Sequence, residues 1–211
     1  MHSTKSQMVA HLKRSGGSSV EELANALGLA RMTIRQHLAA LERDELVASH
    51  QVRRATGRPH YVFSLSCKGD DLFPRRYDRL ADMLLQEVAL LEGDEISGLA
   101  PDEKKRLILQ RVVARLVREH VTKVNGKTLA ERVAAVATIL QQEGGFAEWR
   151  EQEQGYEIID YNCVYRMVAA AEDGACEWHL ALLRQLLGDD VKCSHSPGCG
   201  AECCRFTVQA R

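Results

Sequence analysis

Long apolar runs are missing from this chain. No stretch of its 211 residues approaches the roughly 20 consecutive apolar positions that a membrane-spanning helix needs. The opening residues Met1-His2-Ser3-Thr4-Lys5 lead into no apolar segment followed by small residues. That argues against a secretory leader and for a cytoplasmic location, with no membrane partner. Net charge is nearly absent as well, at −1, but the balance hides an asymmetry. Residues 1–66 hold nine Lys and Arg against five Asp and Glu, a net of +4, and the remainder is −5. A basic third on an acidic remainder fits a nucleic-acid module joined to something else. Cysteine is almost lacking from the first three quarters, where Cys67 alone precedes residue 160. The other six, Cys163, Cys176, Cys193, Cys199, Cys203 and Cys204, crowd into the last 49 residues. Without a secretion signal, such thiols point to metal or cluster ligation, redox chemistry or simply reduced side chains.

What is present is ordinary for a globular protein: 45% apolar and 27% charged residues, and length enough for one large core or two smaller ones. The spacing of Met8, Val9 and Leu12 predicts a helix over residues 4–14, ended by Gly16-Gly17. Ser19 followed three residues later by Glu22 is a capping box for a second helix through Leu23, Ala24 and Leu27. Gly28 permits a sharp turn. A third helix follows over residues 31–43, with Ile34, Leu38 and Leu41 facing inward and Arg31, Thr33, Arg35 and Gln36 outward. Helix, glycine turn and helix make a helix-turn-helix. Arg pairs with guanine and Gln with adenine in the major groove. A strand to Val52, a turn from Arg53 to Pro59 and a strand over residues 60–65 then predict a β-hairpin, or wing. Arg53, Arg54 and Arg58 at its tip suit phosphate or minor-groove contact.

Glu22-Leu23-Ala24 with Leu27-Gly28-Leu29, then Thr33 to Glu42, then Leu46-Val47, resemble the winged-helix regulators of the ArsR/DeoR type. Gly57-Arg58-Pro59 followed by Tyr61 and Leu65 resembles the wing of one branch of that group. Ala30 stands where the family has a capping Ser or Thr. The resemblance implies a transcription regulator that binds a double-stranded DNA operator.

Leu80, Leu84, Val88 and Leu91 in residues 76–92, and Leu107, Val112 or Val113, Leu116 and Val117 in residues 102–121, predict two amphipathic helices around a break at Gly93 to Pro101. They pack within their own domain or against a second subunit. A homodimer is expected, since two-fold DNA sites are read by two-fold proteins. Beyond them the pattern predicts a helix over 129–143, strands over 146–150 and 156–161, helices over 164–171 and 176–187, and a closing hairpin of 191–196 with 205–209. The fold class expected is α+β in three parts. These are a winged helix-turn-helix (1–70), a central helical region for dimerisation (71–125) and a small cysteine-rich α+β sensor domain (126–211).

The cysteines show neither the paired Cys-x-x-Cys knuckles of structural zinc modules nor a ferredoxin-like run. Dispersed thiols still converge if strand and helix ends meet. Asn162-Cys163-Val164-Tyr165, Cys176, His179, Leu186-Leu187-Gly188 and Cys204-Arg205-Phe206 extend the resemblance to the C-terminal domain of the same branch, which includes the SufR-type repressors of iron–sulfur assembly operons. That resemblance implies an iron–sulfur cluster, 4Fe-4S in the first instance with 2Fe-2S or zinc as alternatives. It implies ligands at Cys163, Cys176 and Cys204. The family's third position falls at Asp190, so Cys193 is the nearest replacement and Cys199 the next, with Cys203 also open. A zinc- or thiol-based redox sensor is a rival reading. An enzyme with a cysteine nucleophile near His179 or His195 is another, disfavoured because no orienting acid or amide is identifiable.

Overall fold

The computed structural model describes residues 3–52, 60–171, 175–188, 190–196 and 203–209. The chain forms two compact units, Met1–Phe73 and Pro74–Arg211, each with its own apolar core. Among the described residues no helix is long and apolar enough to cross a membrane.

The first unit runs α1 (Thr4–Ser15), β1 (Ser18–Ser19), α2 (Val20–Leu27), α3 (Arg31–Arg43), β2 (Val47–Val52), β3 (His60–Leu65) and α4 (Cys67–Asp70). The expected capping box is formed. Glu22 N–H donates to Ser19 Oγ at 3.3 Å, and Ser19 N–H donates to the Glu22 carboxylate at 2.7 Å. Gly28 closes α2 with φ +65°, a left-handed conformation that costs glycine nothing and other residues about 1 kcal/mol or more. Ala30 stands at the N-cap of α3 and offers no side-chain cap, as its sequence implies. Met8, Leu12, Leu23, Ile34, Leu38 and Leu41 close the core of the three helices. Each such buried side chain contributes roughly 1.5–3 kcal/mol. The sheet order is β1-β3-β2, all antiparallel, and β2 pairs with β3 from Val47 opposite Leu65 to Val52 opposite His60. Helix-turn-helix plus hairpin is a winged helix. Arg53, Arg54 and Arg58 lie outside the described residues.

The second unit runs α5 (Tyr77–Ala89), α6 (Gly93–Ile96), α7 (Pro101–Val124), α8 (Leu129–Gln142), β4 (Ala147–Gln152), β5 (Gly155–Asp160), α9 (Arg166–Ala171), α10 (Ala175–Leu187), β6 (Val191–His195) and β7 (Cys204–Gln209). Its sheet has the order β4-β5-β7-β6, antiparallel throughout. Cys204, Phe206 and Val208 alternate along β7 onto the buried face, where Leu182, Leu183, Leu186 and Leu187 share their core. The whole is α+β, as expected.

The central helices do not stand as a segment of their own. Leu80 and Met83 of α5 and Val112, Val113 and Leu116 of α7 share one core with Trp178, Leu183 and Phe206. Their apolar stripes therefore find cover inside this unit. The stripe read on α5 divides: Leu80 is buried and Leu84 half-buried, while Val88 is exposed. Glu87 takes the inward position instead, its carboxylate met by Arg111 at 3.2 Å and Arg115 at 3.8 Å. A carboxylate so deeply placed requires such partners.

Candidate functional site

Two features carry chemistry, one in each unit. In the first, burial of Ile34, Leu38 and Leu41 fixes the opposite face of α3 to solvent. Arg31, Met32, Arg35 and Gln36 are exposed there and Thr33 is half-buried. Arg31 donates to Glu21 of α2, an ion pair with both side chains in water and so of small energetic weight. Arg35 makes no ion pair among the described residues. One exposed apolar side chain on this face, Met32, was not singled out from sequence. The signal available was an apolar residue interrupting an otherwise polar helix face.

In the second unit a cavity of about 710 Å³ opens beside the sheet, and Cys163, Cys176, Cys193 and Cys204 all line it. They arrive on separate elements. Cys163 follows the end of β5, Cys176 opens α10, Cys193 sits in β6 opposite Phe206, and Cys204 begins β7 opposite Asp160. Aromatic contacts hold these elements together. Tyr165, two residues beyond Cys163, packs its ring 5.3 Å from that of Trp178, two beyond Cys176. His179 meets Phe206, two beyond Cys204, edge to face at 5.7 Å. Cys203 is half-buried and does not line the cavity, Cys67 is exposed in the first unit, and Cys199 lies outside the described residues.

The four thiols are not equivalent. The Cys204 thiol is hydrogen-bonded to Cys163, which lowers the Cys163 pKa below the ordinary thiol value against the opposing effect of burial. The backbone at Tyr165 and the positive charge of Arg75 act in the same direction. Cys204 is pushed up by that same hydrogen bond and by its burial. Cys163 is thus the more acidic of the pair. Cys193 donates to the His195 carbonyl at 3.1 Å. His179 lines the same cavity, and burial lowers its pKa from 6.5 to about 4, so its imidazole is neutral at neutral pH. Among the described residues no three His, Cys, Asp or Glu side chains are disposed to hold one metal ion together. The thiols share a cavity without converging at a point.

The loop bearing Cys163 is tied down on both sides. Asp160 Oδ1 accepts from Phe146 N–H at 2.8 Å and from Asn162 N–H at 3.1 Å. Asn162 is fully buried; its side-chain amide donates to the carbonyls of Pro74 at 3.0 Å and Gly144 at 2.9 Å and accepts from Arg75.

Residues 2–49 match the family model described as bacterial regulatory protein, arsR family. The match spans the three helices of the first unit and the start of β2. The N-terminal unit is therefore the winged helix-turn-helix of a DNA-binding transcription regulator. Among solved structures, the crystal structure of Bacillus subtilis PadR in complex with operator DNA is similar at 13% identity. That likeness covers 64% of this chain and 89% of that one with a TM-score of 0.27, too slight to carry an argument. No curated protein matches the chain.

Proposed function

We propose that this protein is a homodimeric transcriptional repressor of the SufR type. In this reading an iron–sulfur cluster, 4Fe-4S in the first instance, held by Cys163, Cys176, Cys193 and Cys204 sets its affinity for operator DNA. Its targets would be genes of iron–sulfur assembly. One observation carries this reading: the four cysteines singled out by the resemblance, on four separate elements, line one cavity. The donor set fits the group, since thiolates hold such clusters and hydrogen bonding already favours ionisation of Cys163. When bound, the cluster would supply an oxidant- and iron-sensitive tie among the four thiolates. Holding one cluster would tie together the loop of Cys163, the start of α10, β6 and the start of β7, which bear these thiols. The repacking of those elements is what the DNA-binding unit would sense.

On the DNA side, Arg35 and Gln36 read base edges in the major groove, and Met32 suits contact with a thymine methyl group. Arg31 and Thr33 lie on the same face. Arg53, Arg54 and Arg58 contact phosphates. A second reading rests on the hydrogen bond between Cys163 and Cys204, which also suits a thiol-based redox sensor without a cluster. The test is the visible spectrum with iron and sulfide analysis of protein purified without oxygen, repeated for each cysteine changed to serine. Loss of cluster at Cys163, Cys176, Cys193 and Cys204, and retention at Cys67 and Cys203, is expected. Colourless wild-type protein, or full iron and sulfide in Cys163→Ser and Cys176→Ser, refutes the cluster.

A further inference from the structure

We infer that Asn162 and Arg75 form a latch through which the state of Cys163 reaches the DNA-binding unit. The inference rests on the proposed regulation at Cys163 but not on the cluster itself. The geometry is unusually one-sided. Pro74 is the first residue of the second unit, directly after Phe73, the last of the DNA-binding unit. Its carbonyl accepts from Asn162 at 3.0 Å. Arg75 donates to the same amide. Arg76 N–H donates to the Val164 carbonyl at 3.1 Å, and Met167 N–H donates to the Tyr77 hydroxyl at 3.3 Å. Four consecutive residues, 74–77, are thus stitched to the segment around Cys163, from Asn162 to the first turn of α9.

Gly144 completes the seat. Its amide carbonyl takes the second Asn162 N–H, its φ is +97°, and a Cβ there would lie 3.0 Å from Pro74 Cβ and 3.4 Å from Val164 Cγ1. The Asn162 amide is wholly shielded from water, so breaking its bonds would strand buried donors and acceptors. Loop and junction consequently move together rather than apart. Asn162 and Arg75 are positioning residues: they bind neither DNA nor cluster, and they set how far one state is felt at the other.

The test uses full-length protein and the tightest duplex selected from a random-sequence library. Affinity is measured for cluster-loaded and cluster-free wild type, Asn162→Ala and Arg75→Gln, with iron and sulfide content and amide hydrogen exchange across residues 74–80. In wild type the two states are expected to differ by about tenfold or more, and exchange at Arg76 and Leu80 to change with loading. In both variants the ratio is expected to fall toward one, with cluster content retained. If Asn162→Ala does not fold, Arg75→Gln alone decides. Variants that keep the wild-type ratio at equal cluster content overturn the latch and leave the cluster reading intact. Wild type without iron or sulfide overturns the cluster reading instead. The same ratio is then read between reduced protein and protein treated with diamide. That reagent takes up the two thiol protons and two electrons as the Cys163–Cys204 disulfide forms. A ratio again unchanged in the variants overturns the latch there too.

Discussion

At the scale of single residues, His179 makes the sharpest prediction. Its imidazole binds a proton less readily folded, at about 4, than unfolded, at 6.5. Unfolding therefore takes up protons between those values, so stability falls as pH drops from 6.5 toward 4 and is full above that window. The contribution is up to roughly 3 kcal/mol. Burial lowers His11 and His120 in the same direction, so they keep part of the slope. Denaturant unfolding of metal-free protein, at neutral pH and within the window, is expected to show a shallower pH dependence for His179→Asn than for wild type. An equal slope in both would mean the imidazole stays in contact with water. Local residue chemistry was legible in the sequence: Ser19 and Glu22 are three apart, and the bonds they make are the ones their spacing implies. Asn162 was not legible as a hub, because its partners Pro74 and Gly144 lie 88 and 18 residues away. Nothing in an Asn next to a Cys announces partners that only the tertiary fold supplies.

At the scale of elements, α3 and the β2–β3 hairpin divide the work of binding between base reading and charge. Arg35→Ala or Gln36→Ala is expected to cost about 1–3 kcal/mol on the selected duplex and far less on random DNA. Arg53→Ala with Arg54→Ala is expected to weaken binding to every duplex and to lower the log–log salt slope by about 0.9 for each phosphate left without its arginine. Equal losses on all sequences for Arg35 and Gln36 would make them phosphate contacts. Fluorescence titration at several salt concentrations separates the two outcomes. The helices and strands were readable because burial repeats along them with its own period, every third or fourth residue in α3 and every second in β7. The inward face of α5 was misplaced by one position for a physical reason. Glu87 is buried there, and the arginines that make this tolerable sit on α7, out of reach of any pattern within α5. The cavity was partly readable: the family resemblance pointed to Cys163, Cys176 and Cys204, whereas the place of Cys193 depends on the register of β6 against β7.

At the scale of the molecule, self-association is expected through the outward side of α5 and the residue that caps it, where Leu85, Val88 and Leu90 are 68%, 48% and 61% exposed. Leu85→Glu with Val88→Glu is expected to yield monomers by sedimentation and to lose operator affinity, because half-sites are held only by a pair of recognition helices. A dimer unchanged by the double substitution would place the interface elsewhere. The sheet bears on how the second unit comes into being. β7 follows every other described element in sequence, yet it lies between β5 and β6 and supplies the partner strand for both. A growing chain therefore completes the winged helix from neighbouring segments while β5 and β6 still wait for an unmade strand. Two of the four thiols face the cavity from β6 and from β7 itself. During synthesis, a folded winged helix thus precedes any sensor able to govern it, and the cysteine cavity exists only once β7 has been threaded into the middle of the sheet.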